Sequence, residues 1–439
     1  MQVFTLVYVA GVLGQTFSSG SMAGLYISRI VTGMGIGATT VLPPVYISEI
    51  APRSIRSLLY LQYICCHQLG VVFGFFSNYG ITKHYAGNQV QWQLPTALQV
   101  APAIIWGLGT IFTPESPRFL LSRGKPAEAL KVLCDFRHLP SSHPYVDDEF
   151  RAMQAHLEHE LEIVSGTSVL DLAKEMWTDM PNRRRFILMF LAHFFFQWSG
   201  ANSIPSIFGY LGTQGEESRL LATGVYVIVK FISVLLFSIF GIDFICRRHS
   251  LLTGICLQIT TPLFVGIYLR VTNGRDPEDI SADPAVRRAS EAATAAIYLH
   301  AIASSIGWFS MPYPVSAEVF PIRIRSLCVS VLMAFHWAFY FGCSRAMPSL
   351  LAATERYGAF IFFAAICSVS LVYVYLAMPE TSGRSLESME PLFSRPWYTV
   401  HKVAYPKAED LAARPVVADA NGEKEGEKKG ENGVAIHMA

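Results

Sequence analysis

Apolar positions fill this chain in long, nearly uninterrupted blocks, and charged residues are confined to short clusters between them. Runs of about 20 apolar residues match the length an α-helix needs to cross a bilayer. About ten such spans are expected, near residues 2–20, 25–48, 58–80, 93–113, 185–211, 220–242, 250–270, 292–317, 327–351 and 357–378. The alternating ten-residue strands of a membrane barrel are absent, so the spans read as helices. Several are rich in Gly, Ala and Ser, as close packing in lipid requires. Two stretches depart from the pattern. Segment 114–184 carries Glu128, Lys131, Glu149, Arg151, Glu158 and Glu162 among Leu, Met and Val at helical spacing, which predicts short amphipathic helices. The tail after residue 395 is polar, and its 421–431 stretch of Gly, Glu and Lys is too hydrophilic to bury a core; disorder is expected there.

Two of the charge clusters are one motif written twice. Pro43-Pro44-Val45-Tyr46-Ile47-Ser48-Glu49-Ile50-Ala51-Pro52-Arg53-Ser54-Ile55-Arg56 is echoed by Pro312-Tyr313-Pro314-Val315-Ser316-Ala317-Glu318-Val319-Phe320-Pro321-Ile322-Arg323-Ile324-Arg325. A constant offset pairs Pro43 with Pro312, Glu49 with Glu318, Pro52 with Pro321 and Arg56 with Arg325. A second pair follows: Pro114-Glu115-Ser116-Pro117-Arg118 and Pro379-Glu380-Thr381-Ser382-Gly383-Arg384. Duplicated halves in a polytopic membrane protein point to a transporter with its substrate between them. The repeat is incomplete as it stands. The counterpart of Asp243-Phe244-Ile245-Cys246-Arg247-Arg248 would fall roughly 26 residues before Met1. Four helices before the linker against six after it read as a twelve-helix design without its first two.

Composition agrees. The chain is 52% hydrophobic and only 15% charged, where soluble domains carry about 25%. A net charge of +1 gives no field for nucleic acid. The 8 cysteines include no CxxC pair and read as small buried hydrophobes, without a disulfide framework. His156 and His159 have no further ligand set, so no metal is expected. Arg53, Arg56, the 114–184 segment, Arg247, Arg248, Arg323, Arg325 and Arg384 fall on one side of the bilayer, which the excess of basic residues makes the cytoplasmic one.

The motifs resemble the sugar porter family of the major facilitator superfamily. They are Arg29-x-x-x-Gly33-x-Gly35 leading to Pro44-x-Tyr46-x-x-Glu49-x-Ala51-Pro52-x-x-x-Arg56; Pro114 to Arg118; Gln197-x-x-Gly200-x-Asn202; Gly307-Trp308 leading to Glu318-x-Phe320-Pro321-x-Arg323-x-Arg325; and Pro379-Glu380-Thr381-x-Gly383-Arg384. Within the family, Asn78-Tyr79-Gly80, Leu139-Pro140 with His143-Pro144-Tyr145, and Thr223-Gly224-Val225-Tyr226 with Lys230 resemble the quinate-carrying branch. The resemblance implies an all-α polytopic bundle of the major facilitator type in the plasma membrane, with about ten of the usual twelve helices. Its parts would be an incomplete N-terminal half (1–113), a cytoplasmic helical linker (114–184), a C-terminal half (185–378) and a cytoplasmic tail (379–439). It implies alternating-access transport of a hexose, quinate or related polyol, with a proton as coupling ion in the full-length form, no cofactor and no catalysis. A non-transporting nutrient sensor and an inactive truncated remnant are the alternatives.

Candidate residues fall into two groups. Glu49, Arg56, Arg118, Arg247, Arg248, Glu318, Arg323 and Arg325 cluster at the cytoplasmic helix ends, either as a gate whose opposite charges pair when the inner side closes or as topological anchors. Gln197, Asn202, Tyr313, His336 and Trp337 offer the amides and flat aromatic faces that a polyhydroxylated ligand needs; bonding to a neighbouring helix is the other reading. By resemblance, Gln197 and Asn202 stand where the family bonds its ligand, Tyr313 replaces a Trp, and His336 replaces a Gln. His336 is also a candidate for proton coupling. Lys230 lies well inside a span, where a charge costs about 2.5–3.5 kcal/mol; it either attracts a ligand carboxylate, pairs structurally or snorkels. Gly33-x-Gly35-x-Gly37 follows no strand and reads as a helix-packing stripe, not a phosphate loop. The sequence also departs from the family. Ile64 stands between Gln62 and Gln68 where a polar residue is usual, Phe196-Gln197 replaces a Gln-Gln pair, and about four residues are missing between Asn202 and Pro205.

Overall fold

The computed structural model describes residues 1–18, 20–52, 55–85, 87–164, 168–201, 216–241, 247–273 and 283–380, with 393, 398 and 400. The described residues are helical and contain no strand. Before the linker come α1 (Gln2–Phe17), α2 (Met22–Ile50), α3 (Arg56–His84), α4 (Val90–Leu98) and α5 (Val100–Phe112). The linker holds α6 (Pro117–Ser122), α7 (Pro126–Arg137), α8 (Pro144–Val164) and α9 (Val169–Thr178). After it come α10 (Met180–Trp198), α11 (Glu216–Leu236), α12 (Arg247–Val271), α13 (Pro284–Ile306), α14 (Pro312–Val319), α15 (Ile322–Ala353) and α16 (Tyr357–Ala377). The expected tail disorder and Asn202 fall outside the described residues.

Among the described residues, seven helices, counting α4 and α5 as one span, are long and apolar enough to cross a bilayer. The described parts of the other three expected spans are largely helical too. α1 has 16 residues, α10 begins with Arg183, Arg184 and Arg185, and α13 carries Arg287, Arg288 and Glu291 near its start. Two spans differ from expectation in form. The 93–113 span is two helices meeting at Gln99. The 292–317 span is broken: α13 ends at Gly307, a short 3-10 turn covers Trp308–Ser310, and α14 restarts at Pro312. Prolines at 312 and 314 lack the N–H groups that would continue the helix.

In lipid a released backbone group needs a protein partner. Pro43 and Pro44 lie inside α2, and the donor missing at Pro43 would have served the Thr39 carbonyl. Tyr63 of α3 donates its hydroxyl to that oxygen at 3.2 Å, and Tyr60 donates to the Pro44 carbonyl at 2.8 Å. At the break in α13, Ser250 of α12 donates to the last helical carbonyl, Ile306, at 2.6 Å.

The main core joins α3, α10, α12, α14, α15 and α16 through Leu61, Ile64, Phe196, Ile255, Val315, Leu332 and Cys367 among others. Ile64 therefore fills core space where the family's polar group is usual. A second cluster joins α11, α12, α13, α15 and α16. Large apolar side chains such as Leu6, Ile30, Ile105, Phe112, Phe341 and Val369 point outward, which suits a surface bathed in acyl chains. The linker has its own small core of Leu120, Leu121, Ala129, Leu133, Val146 and Met153. Arg137 ties it down, with Nε and Nη2 donating to Glu149 at 2.9 and 2.7 Å and Nη1 donating to the Ile50 carbonyl at 3.0 Å. The hydrogen bond with Glu149 holds this guanidinium above its ordinary value.

The glycine stripe of α2 acts at one position only. A Cβ on Gly35 would lie 2.7 Å from the backbone nitrogen of Tyr8 in α1, whereas Gly33 and Gly37 meet nothing within 4 Å. Gly254 of α12 is the tightest seat after the linker, its added Cβ falling 2.5 Å from Gly307 Cα. Gly35→Ala and Gly254→Ala are each expected to destabilise by about 1–3 kcal/mol, the usual cost of overpacking. Gly33→Ala should be neutral. Thermal unfolding in detergent micelles checks this, and equal melting temperatures for Gly33→Ala and Gly35→Ala would refute it.

Candidate functional site

The charged motifs at the linker-side ends act first as helix caps. Ser116 is the N-cap of α6, accepting from Phe119 N at 3.2 Å, and its hydroxyl donates to Glu49 Oε2. Tyr46 donates to the Pro114 carbonyl at 2.8 Å. The first copy of the long motif thus closes on the first copy of the short one. The second short motif does the same work: Glu380 Oε2 accepts from Arg248 N at 2.9 Å, placing a carboxylate at the positive end of α12. Arg248 then donates to the carbonyls of Met378 at 2.9 Å and Tyr375 at 2.6 Å. Arg325 donates to the Phe320 carbonyl at 3.1 and 3.2 Å, and Arg323 pairs with Glu175 of α9 at 3.2 Å. These contacts lie within one half or run to the linker. Arg118 Nε is buried with no hydrogen-bond partner among the described residues. The side chains of Arg56 and Glu318 lie outside the described residues.

The polar candidates converge deeper in the bundle. Gln197 and His193, one turn apart on α10, face Tyr313 and Ser316 of α14 and His336 of α15. Gln197 Nε2 lies 2.7 Å from His336 Nε2, and the Tyr313 hydroxyl lies 2.8 Å from the same nitrogen. His336 Nδ1 is 3.0 Å from His193 Nδ1, and His193 Nε2 is 3.1 Å from Ser316 Oγ. Ser316 in turn donates to the Pro312 carbonyl at 2.6 Å. His193, Gln197, Ser316 and His336 are all buried. Phe196 fills the place of the family's first glutamine and stacks on His336, ring centroids 5.3 Å apart. Trp337 sits at the edge, T-shaped to His336 at 5.6 Å and 40% exposed.

Lys230 of α11 reaches the same region from the other side. It is 5% exposed, and its Nζ lies 4.7 Å above the Phe309 ring, a cation–π contact. Phe309 is 6.0 Å from Phe196, so two rings separate the ammonium from His336.

The motif, the broken helix and the polar cluster can now be set beside known proteins. The profile of a family described as "Sugar (and other) transporter" matches residues 1–393. The chain belongs to this sugar transporter family. It is a multi-pass membrane protein and a transporter by descent, not an enzyme. A "Probable quinate permease" of Aspergillus niger is 34% identical over 412 residues, covering 91% of this chain and 74% of the relative. The "Quinate permease" of Emericella nidulans is 33% identical over 383 residues, covering 84% and 69%. Among solved structures, the proton:xylose symporter XylE bound to 6-bromo-6-deoxy-D-glucose superposes with a TM-score of 0.71 at 19% identity, covering 89% of this chain and 82% of that one. The inward-open form of XylE from E. coli gives 0.62. At that identity the likeness shows the major facilitator fold.

Sequence reasoning brought together Gln197, Tyr313 and His336 and missed His193 and Ser316. His193 had one available signal, its spacing of one helical turn before Gln197; Ser316 lay inside a motif read only for its acid, prolines and arginines.

Breaking the Glu380–Arg248 anchor should be costly, because both groups are almost fully buried. Glu380→Leu leaves the Arg248 N–H without this acceptor and is expected to lower stability by about 1–3 kcal/mol, seen as a reduced melting temperature and reduced yield of monodisperse protein. An unchanged melting temperature would show that the pair is dispensable.

Proposed function

We propose that this sugar transporter family member carries a carboxylated polyol of the quinate type across the plasma membrane by alternating access, with a proton as coupling ion and with its linker and tail in the cytoplasm. The observation that carries the reading is the convergence of Gln197, Tyr313 and His336 from α10, α14 and α15, with α14 restarting at the break that follows α13. A polyhydroxylated ligand needs such donors and acceptors inside an apolar wall, and an irregular backbone in a membrane is kept where it lines a cavity. Lys230 supports the acidic half of the substrate: a buried ammonium beside the site offers a charge-assisted partner to a carboxylate. The naming of the curated relatives as quinate permeases points the same way. Trp337 and Asn202 complete the proposed lining. The caps at the linker-side ends would serve as the hinges about which residues 1–113 and 185–378 rock, with 114–184 between them.

Uptake of radiolabelled quinate into proteoliposomes under an inward proton gradient tests the function, with glucose and inositol as neutral comparisons. Gln197→Ala should cut uptake at least tenfold, the loss of one or two well-made hydrogen bonds in a buried site. Lys230→Met should raise the KM for quinate about tenfold or more and leave neutral polyols, if carried, unaffected. Equal effects of Lys230→Met on quinate and on a neutral polyol would remove the carboxylate from the proposal; quinate uptake that ignores the proton gradient would remove the coupling.

A further inference from the structure

The cluster around His336 has a direction, and that direction is set from outside the proposed ligand contacts. Ser316 Oγ and the Pro312 carbonyl oxygen lie 2.6 Å apart. Two oxygens approach this closely only with a proton between them, and a carbonyl has none, so the Ser316 hydroxyl donates. Its proton is then committed, and His193 Nε2, 3.1 Å away, must be the N–H that donates to Ser316 Oγ. A neutral imidazole with Nε2 protonated has Nδ1 as acceptor. His336 Nδ1 at 3.0 Å must therefore carry a hydrogen and donate to it. His336 Nε2 is left as a bare acceptor, and Gln197 Nε2 and the Tyr313 hydroxyl, at 2.7 and 2.8 Å, both donate to it. Reversing any link would set two hydrogens or two lone pairs face to face. The chain ends on a backbone carbonyl, which can only accept, so one arrangement of the two neutral rings remains.

We propose that His193 and Ser316 are positioning residues that hold His336 in the tautomer with Nδ1 protonated, making Nε2 an obligate acceptor that selects a ligand hydroxyl as its donor. The inference rests on the reading of Gln197, Tyr313 and His336 as ligand contacts. On binding, a ligand hydroxyl displaces one of the two protein donors from Nε2 and donates in its place, while the released Gln197 amide or Tyr313 hydroxyl donates to a ligand oxygen. A hydroxyl does both jobs at once. An ether oxygen accepts but has no hydrogen to give, so the site discriminates between them, as buried polar sites do when one partner would be left unpaired. Neither His193 nor Ser316 touches the ligand in this scheme.

The experiment is competition against labelled quinate in proteoliposomes of the full chain, using quinate and its mono-O-methyl ethers as competitors. The wild type is expected to reject at least one ether about tenfold or more relative to quinate. Ser316→Ala frees His193 to turn its tautomer round, and His193→Leu removes the acceptor for His336. Both should bring the ratio for that ether down about tenfold, toward unity. His193→Asn is the conservative rescue: its side-chain oxygen stands in for Nδ1, still accepts from His336, and should keep the rejection. A purely structural role for these residues would shift quinate and every ether together and would not separate Asn from Leu. Ethers rejected equally by the wild type, Ser316→Ala and His193→Leu would overturn the proposal, as would a wild type that rejects none. If Gln197→Ala and wild type compete identically with every ligand, the site reading itself fails; if Gln197→Ala alone loses affinity, only the tautomer control fails. Ser316→Ala removes a single oxygen, and gel filtration of each variant verifies that the bundle is intact.

Discussion

A hydrogen-bonding group set loose in hydrocarbon has no water to fall back on, and leaving it unpaired costs several kcal/mol. That constraint organises this bundle. Two irregular points show how it is met, the prolines inside α2 and the break between α13 and α14. Tyr63 supplies the donor that Pro43 lacks, and Ser250 answers the end of α13. The same rule explains why the charged motifs sit where they do. Glu49 and Glu380 each meet a helix beginning, one through the Ser116 cap and one directly at Arg248.

The charged motifs therefore have a structural use underneath whatever they do in transport. Among their described side chains, Glu49 accepts from the Ser116 cap, Arg325 donates to a backbone carbonyl and Arg323 pairs with the linker. Charges held this way leave the core shared by α3, α10 and α14 apolar. An apolar seam of this kind suits the rigid-body rocking proposed above. The linker touches both sides of that seam, through Arg137 to the end of α2 and through Glu175 to the start of α15.

The polar cluster inverts the logic of the caps. There side chains from three helices bond chiefly to one another, and the chain of bonds ends on the Pro312 carbonyl. Networks of this kind are costly when incomplete and specific when complete. Here completeness depends on Ser316 and Pro312 at the start of α14, so the break in the helix and the chemistry of the cluster are one feature.

Much of this was legible in the chain. Run lengths and charge spacing determined the all-helical bundle, the helical linker and the repeat, because a bilayer admits few solutions for apolar runs of that length. The family motifs singled out Gln197, Tyr313 and His336, which do meet. Tertiary structure decided the rest. Of three glycines at identical spacing only Gly35 has a helix against it, since spacing gives a face and not the neighbour that occupies it. Of the charges expected at the cytoplasmic helix ends, Arg248 and Arg325 meet backbone carbonyls close by, a contact that charge spacing alone does not specify. His193 and Ser316 were unremarked because their role exists only when α10, α14 and α15 are packed together. Sequence carries the period of a helix, while hydrogen-bond direction is a property of atoms a few ångströms apart and residues more than a hundred positions distant.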